Sequence, residues 1–545
     1  VARWLGAWLL GALAFASPAR AQSGDEGFQK ALGDLRDASF DDKGRIVEGL
    51  SEAGHPSARA VLTALLEDRL YVRQQDQKVF IVPSADDSLA SLELIDPISL
   101  KPAGAAPRDA LSAIGTDNRL RKRLKTAVAR FALTSPDASV RLDAAKEMLR
   151  SLDDASIALL RQRVGVEQDK GVREEIETGL ALVALDGGEP KSRLAAIATL
   201  ARRLRPEVRN RLASLLEKSA DGSFVESDGE VRSAAAAALR TIDRSRLFYS
   251  GVETLFFGLS LGSVLVLIAI GLAITFGVMG VINMAHGELM MLGAYTTYVV
   301  QLAMPKHIGA SILVAIPAAF VVAGAAGVIL ERTIVRFLYG RPLETLLATF
   351  GVSLILQQLV RSTFSANNRS VETPAWMSGT LQVNEALALT LNRLYIVVFT
   401  LIVFAILLVV LKKTRLGLDI RAVSQNRAMA QAMGIRSEWV DAMTFGLGSG
   451  IAGVAGVALS QLTNVGPNLG QSYIIDSFMV VVFGGVGNLW GTLIGGMSMG
   501  IVNKLLEPYA GAVLGKILVL VLLILFIQWR PRGLFPQTGR AAESQ

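Results

Sequence analysis

The chain has 545 residues, a formal net charge of +7 and a composition that is 51% hydrophobic. It contains no cysteine, which excludes disulfides and thiolate chemistry, and its three histidines, His55, His286 and His307, are too scattered to mark a metal cluster. The positive charge does not point to nucleic acid, because in the second half the basic residues gather at the ends of hydrophobic runs, as membrane spans require.

The N-terminus reads as a secretory signal. Arg3 precedes the apolar run Trp4–Ala16, Pro18 breaks it, and Ala19-Arg20-Ala21 offers small residues for cleavage after Ala21. The alternative is an uncleaved anchor, although the run is short for a span of about 20 residues. Either reading puts the segment from 22 to 247 outside the cytoplasm. That segment is charged, Ala-rich and weakly repetitive. Asp137-Ala-Ser-Val140-Arg141, Asp169-Lys-Gly-Val172-Arg173 and Asp228-Gly-Glu-Val231-Arg232 share one opening, echoed at Glu189-Pro-Lys-Ser-Arg193. This resembles HEAT-type helical repeats, in which each unit buries its apolar face on the next. Between about 71 and 108 the texture changes, and YVRQQDQKVFIVPS predicts a hairpin inserted between helices. No catalytic constellation stands out, and the region suits a docking surface.

From about 251 onward the chain is a series of apolar runs, at about 254–276, 285–303, 311–330, 343–361, 393–411, 440–462, 472–488, 489–506 and 511–529. Several are short or rich in glycine, so eight or nine spans are expected. Basic residues concentrate in the loops 331–342 and 412–438 and at Arg530 and Arg532, whereas 464–471 carries no charge. That asymmetry puts these loops and the C-terminus in the cytoplasm. Phe276-Gly277-Val-Met-Gly280 and Phe483-Gly484-Gly-Val-Gly487 share the pattern FGxxG. Either the two are paired broken segments of an internal duplication, or both are helix-packing glycines.

Asn283, His286 and Glu288 lie inside a hydrophobic, glycine-rich stretch, where polar groups are costly unless they face a bundle interior or a watery cavity. Two readings stand. Asn283 and His286, three apart, line a pathway with Glu288; or all three tie a broken helix to its neighbours. Gln357, Gln358 and Asn464 are further uncharged polar groups and candidates for a pathway. Asp476 requires a partner, which a Ser, an Arg or a water would supply, and Lys504 and Glu507 form an interfacial pair. The loop 412–438 is long enough for a helix of its own over 421–433, ended by Gly434. It is either a connector lying on lipid headgroups or a coupling helix that fits a groove on a cytoplasmic ATPase, with Arg421 and Arg427 pairing to acidic groups. The sequence has no G-x-x-x-x-G-K-[ST] phosphate loop, so ATP binding by that motif falls to a separate subunit.

GVMGVINMAHGELMMLGAY, TRLGLDIRAVSQNRAMAQAMGI and VVVFGGVGNLWGTLIGG resemble the permeases of branched-chain amino-acid-type ABC importers. The finer resemblance is to the urea transporter permease subunit. It rests on Leu394-Tyr395, Asn426-Arg-Ala-Met-Ala, residues 444–492 and 516–535. The resemblance covers 251–536, a transmembrane permease domain; with the readings above, the expected layout is a signal peptide at 1–21, a helical periplasmic domain at 22–247, that permease domain and a cytoplasmic tail at 537–545. The expected fold is all-α, a polytopic inner-membrane protein with 8–9 transmembrane helices behind a HEAT-like extracytoplasmic domain. The implied partners are a second homologous permease subunit, two cytoplasmic ATPase subunits, a periplasmic urea-binding protein and the lipid bilayer. No cofactor is expected on this chain, with ATP bound on the partner subunits, and no enzymatic role is expected. The coupling loop would comprise Gly417, Arg421, Asn426, Arg427, Ala432 and Gly434. The competing readings are a branched-chain amino-acid or short-amide permease, a passive urea channel, which the loop 412–438 argues against, and a sensor.

Overall fold

The computed structural model describes residues 19–83, 91–150, 154–218 and 222–535, and the chain divides into two compact units, Val1–Ile242 and Asp243–Gln545. The signal segment expected at 1–21 and the tail at 537–545 fall wholly or largely outside the described residues.

The first unit opens with α1 (Ala19–Asp37), α2 (Phe40–Glu52) and α3 (Ala58–Leu66). A five-stranded antiparallel sheet follows: β1 (Leu70–Arg73), β2 (Val79–Ile81), β3 (Ser91–Ile95), β4 (Pro102–Pro107) and β5 (Leu111–Ala113), in the order β4-β3-β2-β1-β5. The expected hairpin is present as β1 and β2, with Tyr71 opposite Phe80, but it is the centre of a larger sheet. The strand β4, PAGAAP, has little apolar alternation; it is held by pairing to β3.

Helices α4 (Asn118–Ala132), α5 (Ala138–Leu149), α6 (Asp154–Val164), α7 (Lys170–Ala184), α8 (Pro190–Leu200) and α9 (Pro206–Ser214) complete this unit with the first turns of α10 (Gly229–Met279). The repeated opening has a structural reason. Asp137, Asp169 and Asp228 each accept an N–H from the first turn of the helix they start. The arginine four residues on folds back onto the preceding loop. Arg141 donates to the carbonyls of Ser135 and Pro136, and Arg232 to those of Glu226 and Ser227. Each unit thus fixes its own entry turn, leaving the apolar faces to stack. Ala145, Met148 and Ile176 are buried in one core, and Ile197, Leu212 and Val231 in the next.

The second unit contains the rest of α10, then α11 (His286–Ala303), α12 (Ile308–Thr333), α13 (Pro342–Phe364), a hairpin of β6 (Thr380–Asn384) and β7 (Leu387–Thr390), and α14 (Leu391–Lys413). It continues with α15 (Arg415–Gln425), α16 (Arg427–Ala432), α17 (Ser437–Ser460), α18 (Leu469–Gly484) and α19 (Leu489–Trp529). Among the described residues, six helices are long and apolar enough to cross a membrane: α10, α12, α13, α14, α17 and α19. The remaining predicted runs fall on the short helices α11 and α18 and on the two arms of α19, which bends at Gly511 (φ +75°).

At the centre lies α17, buried along almost its whole length because glycines let its neighbours approach backbone to backbone. A Cβ on Gly293 of α11 would run into the Gly453 carbonyl and lie 2.5 Å from Gly453 Cα. On the other side, Gly450 meets Phe320 of α12. The two FGxxG motifs do the same job. The first ends α10 at Met279, with Gly280 at φ +66°; the second ends α18 at Gly484, with Gly485 at φ +102°. They also touch, since Gly277 packs directly on Gly487.

Candidate functional site

The break after Gly280 sets up the first cluster. Residues 280–285 are non-helical, and Asn283 Oδ1 accepts the Ala285 N–H at 3.0 Å, turning the chain into α11. Thr349 Oγ1 of α13 accepts the Met284 N–H at 3.1 Å. His286, fully buried in the first turn of α11, places Nε2 3.0 Å from the Ile268 carbonyl of α10. Glu288, also buried, accepts through Oε1 a hydrogen bond from Gln357 Nε2 of α13 at 2.5 Å, and Ser353 Oγ lies 3.4 Å from the same Nε2. Three helices are therefore held together by polar contacts at a helix break. Asn283 Nδ2, His286 Nδ1 and Glu288 Oε2 have no hydrogen-bond partner among the described residues.

Of the predicted pathway residues, Asn283, His286, Glu288 and Gln357 are buried at or beside this break. Gln358 is exposed on a different side of α13 from the buried Gln357, a consequence of the 100° step between adjacent helix residues. Asn464 is exposed in the turn between α17 and α18. Neither joins the cluster. The N-terminus of α18 does reach it: a Cβ on Gly287 would lie 2.5 Å from the Gly470 carbonyl oxygen. The short helices α11 and α18 thus cross at their first turns.

The second site is the loop between α14 and α17. The single helix expected over 421–433 is two helices. Asn426 takes an extended conformation (φ −157°), ending α15, and its Oδ1 accepts the Met429 N–H at 3.0 Å to cap α16. Gly417 lets α15 fold back on the end of α14, where a side chain would strike the Leu411 backbone, and Arg421 donates to the Leu411 carbonyl. Gly434 (φ +86°) terminates the loop helix, with Ala432 exposed beside it. Arg427 donates to Asp441 Oδ2 at 2.6 Å and lies 4.2 Å above the Tyr339 ring. Arg421 and Arg427 are therefore engaged within the chain, where the sequence suggested acidic groups of another subunit.

Sequence reasoning missed Asp441 and Tyr339. Asp441 was visible as an acid at the edge of the apolar run 440–462; Tyr339 carried no signal. Asp476 finds a partner in Lys516 of α19, at 3.0 Å, a residue that sequence reasoning did not propose. Lys504 and Glu507 do pair, at 2.5 Å. Near the loop, a cleft of ≈ 430 Å³ is lined by Gly277 and Gly487 of the two FGxxG motifs together with Lys412, Arg421, Gln425 and Trp490. Among the described residues, no group of acidic residues and histidines is arranged to hold a metal ion.

A family model described as "Branched-chain amino acid transport system / permease component" matches residues 254–527. The chain is 31% identical over 301 residues to the high-affinity branched-chain amino acid transport system permease protein LivH of Salmonella typhimurium, covering 53% of this chain and 97% of that protein. It is 31% identical over 296 residues to the corresponding protein BraD of Pseudomonas aeruginosa, covering 52% and 96% respectively. A probable LivH of Methanocaldococcus jannaschii is 29% identical over 285 residues, covering 50% and 88%. No solved structure matches the chain. With half of its length matched by the family model and nearly the whole of its bacterial relatives spanned, the chain belongs to the permease components of the branched-chain amino acid transport system family.

Proposed function

We propose that this chain is a membrane-spanning subunit of an ATP-driven importer and that its solute is urea or a similarly small neutral amide. The observation that carries the transport reading is the pair of broken segments. Two helices stop at FGxxG motifs, their glycines meet, and the polar cluster around Asn283, His286, Glu288 and Gln357 lies at the restart of one of them. Discontinuous helices of this kind surround substrate routes in transporters. ATP would be bound and hydrolysed on separate cytoplasmic subunits docked at α15 and α16. A second permease subunit would complete the route, and an extracytoplasmic binding protein would deliver the solute. The chain would sit in the inner membrane with residues 22–247 outside the cytoplasm, behind a signal segment at 1–21.

Two features support a neutral solute. Some charged side chains of this unit are engaged by one another, as Lys516 with Asp476 and Arg427 with Asp441, and Glu288 faces an amide. A zwitterion needs counter-charges or free helix ends; urea needs only donors and acceptors. The sequence resemblance to urea-type permeases points the same way. The second reading is a branched-chain amino acid, favoured by the names of the relatives and by the meeting of the α11 and α18 N-termini at Gly287 and Gly470. The test is uptake of labelled urea and of labelled leucine at micromolar concentration by cells with and without the gene, each with and without an energy poison. Gene- and energy-dependent urea uptake with leucine unchanged supports the proposal. Loss of leucine uptake alone transfers it to the amino-acid reading.

A further inference from the structure

Resting on the ATP-driven reading, we propose that Arg427 and Asp441 form the strut through which displacement of α16 is passed to the buried helix α17. The two are a positioning pair; neither need touch the solute. Three observations converge on them.

First, α16 is a six-residue helix lying on the unit's surface. Met429 and the C-cap residue Met433 are exposed, at 60% and 77%, and Ala430 is its buried residue, packed with Val440 and the α15 residues Ile420 and Val423. One small apolar contact slides easily and transmits little. Second, two side-chain hydrogen bonds run from α16 to the start of α17. Arg427 Nη2 donates to Asp441 Oδ2 at 2.6 Å, and Gln431 Nε2 donates to Ser437 Oγ at 2.6 Å. Asp441 is 3% exposed, and the partly buried Arg427 guanidinium rests 4.2 Å from the Tyr339 ring. A partly desolvated ion pair with a directional hydrogen bond fixes geometry more firmly than it adds stability. Third, α17 cannot move alone. Its glycines lock it against α12 at Phe320 and against α11 at Gly293, and α11 carries Glu288 to Gln357. A continuous set of direct contacts therefore joins the exposed methionines of α16 to the polar cluster at the helix break.

The other charges at this node leave the strut its role. Buried Glu331 of α12 lies close enough to Asp441 to repel its carboxylate, while Arg332 of α12 and Arg336 in the turn after it reach Glu438 at 3.9 and 3.0 Å; these tie the end of α12 to α17, and none pairs with α16.

The test uses the complete complex reconstituted in proteoliposomes, scoring ATP hydrolysis and labelled urea uptake per assembled complex, with leucine in a parallel set. The parent complex is measured first: if it shows no ATP-dependent uptake of either solute, the transport reading itself fails. Given an active parent, Asp441→Asn and Arg427→Gln are each expected to lower uptake per ATP hydrolysed by at least about fivefold. Hydrolysis should stay within about twofold of the parent, and the double variant should be no worse than the poorer single one. Arg427 is more exposed than Asp441, so its replacement keeps the test open if the Asp441 variant fails to assemble. The proposal is overturned if uptake per ATP is unchanged in an assembled variant. It is equally overturned if hydrolysis and uptake fall in proportion, which would make the pair a docking or folding element.

Discussion

Glu288 and Gln357 are each almost fully buried and meet through one hydrogen bond of 2.5 Å between α11 and α13. Replacing Glu288 by Met keeps the volume and removes the acceptor, leaving Gln357 Nε2 with Ser353 Oγ at 3.4 Å, at the edge of bonding distance. A buried polar group stranded in this way costs about 2 kcal/mol. Gln357→Leu strands the Glu288 carboxyl and costs about the same. The double variant sets two apolar side chains of similar size against each other and leaves only the Ser353 hydroxyl, which can turn to a carbonyl of its own helix, so it should cost only about 1 kcal/mol. The expected coupling energy is about 3 kcal/mol in favour of the pair. Unfolding of the purified full-length protein in mixed micelles by increasing SDS, followed by tryptophan fluorescence, measures each term. A double variant that loses the sum of the singles, about 4 kcal/mol, would refute the claim that these residues are one structural unit.

Other outcomes follow from the same packing. Gly293→Val drives a branched side chain into the Gly453 backbone and should cost about 3 kcal/mol, seen as loss of membrane-integrated protein in cells; Gly27→Ala, which meets nothing nearby, should accumulate normally. In the first unit, Glu167 is buried between Arg141 and Arg163. The Arg141 hydrogen bonds, opposed by burial and aided by Arg163 and the Asp169 N–H, hold its carboxyl down at about 2. Because that lies below its ordinary value of 4.5, the contribution is complete above pH 4.5 and is lost as the pH falls from there toward 2. Glu167→Gln should cost about 3 kcal/mol at neutral pH and flatten this acid dependence, read by hydrogen exchange in α5 and α7 of the full-length protein. Asn426→Ala removes the cap of α16 and should cost that helix about 1 kcal/mol, raising amide exchange at Met429 without altering α17.

Much of the second unit was legible because long apolar runs admit few structures. The runs 393–411 and 440–462 became α14 and α17 with small shifts at their ends. The glycines Gly277, Gly280, Gly484 and Gly487 signalled breaks, and breaks are there. Facing was harder to read. Gln357 and Gln358 are neighbours of the same chemistry, and only the packing of α13 on α11 separates the buried one from the exposed one. Long-range pairing was harder still. Nothing local joins Asp476 to Lys516, forty residues away, or Arg427 to Asp441 across the turn at Gly434. The loop helix was read as continuous because Ala, Met and Gln favour helix on both sides of Asn426. Asn426 instead prefers to cap, and an extended φ there splits the loop in two. In the first unit the Asp-x-x-Val-Arg repeat was visible before its cause, the fold-back of each arginine onto the loop that precedes it.

Accumulation against a gradient separates an importer from a passive conduit. Proteoliposomes containing this subunit with its permease, ATPase and binding-protein partners would be given labelled urea and leucine in separate runs, with ATP supplied only at the face carrying α15 and α16. The structure-based reading predicts that the internal concentration of one solute, urea by the proposal above, rises above the external one with ATP and stays at or below it without ATP. Urea that equilibrates equally fast without ATP, and never exceeds the external concentration with it, would contradict the ATP-driven mechanism and identify a channel.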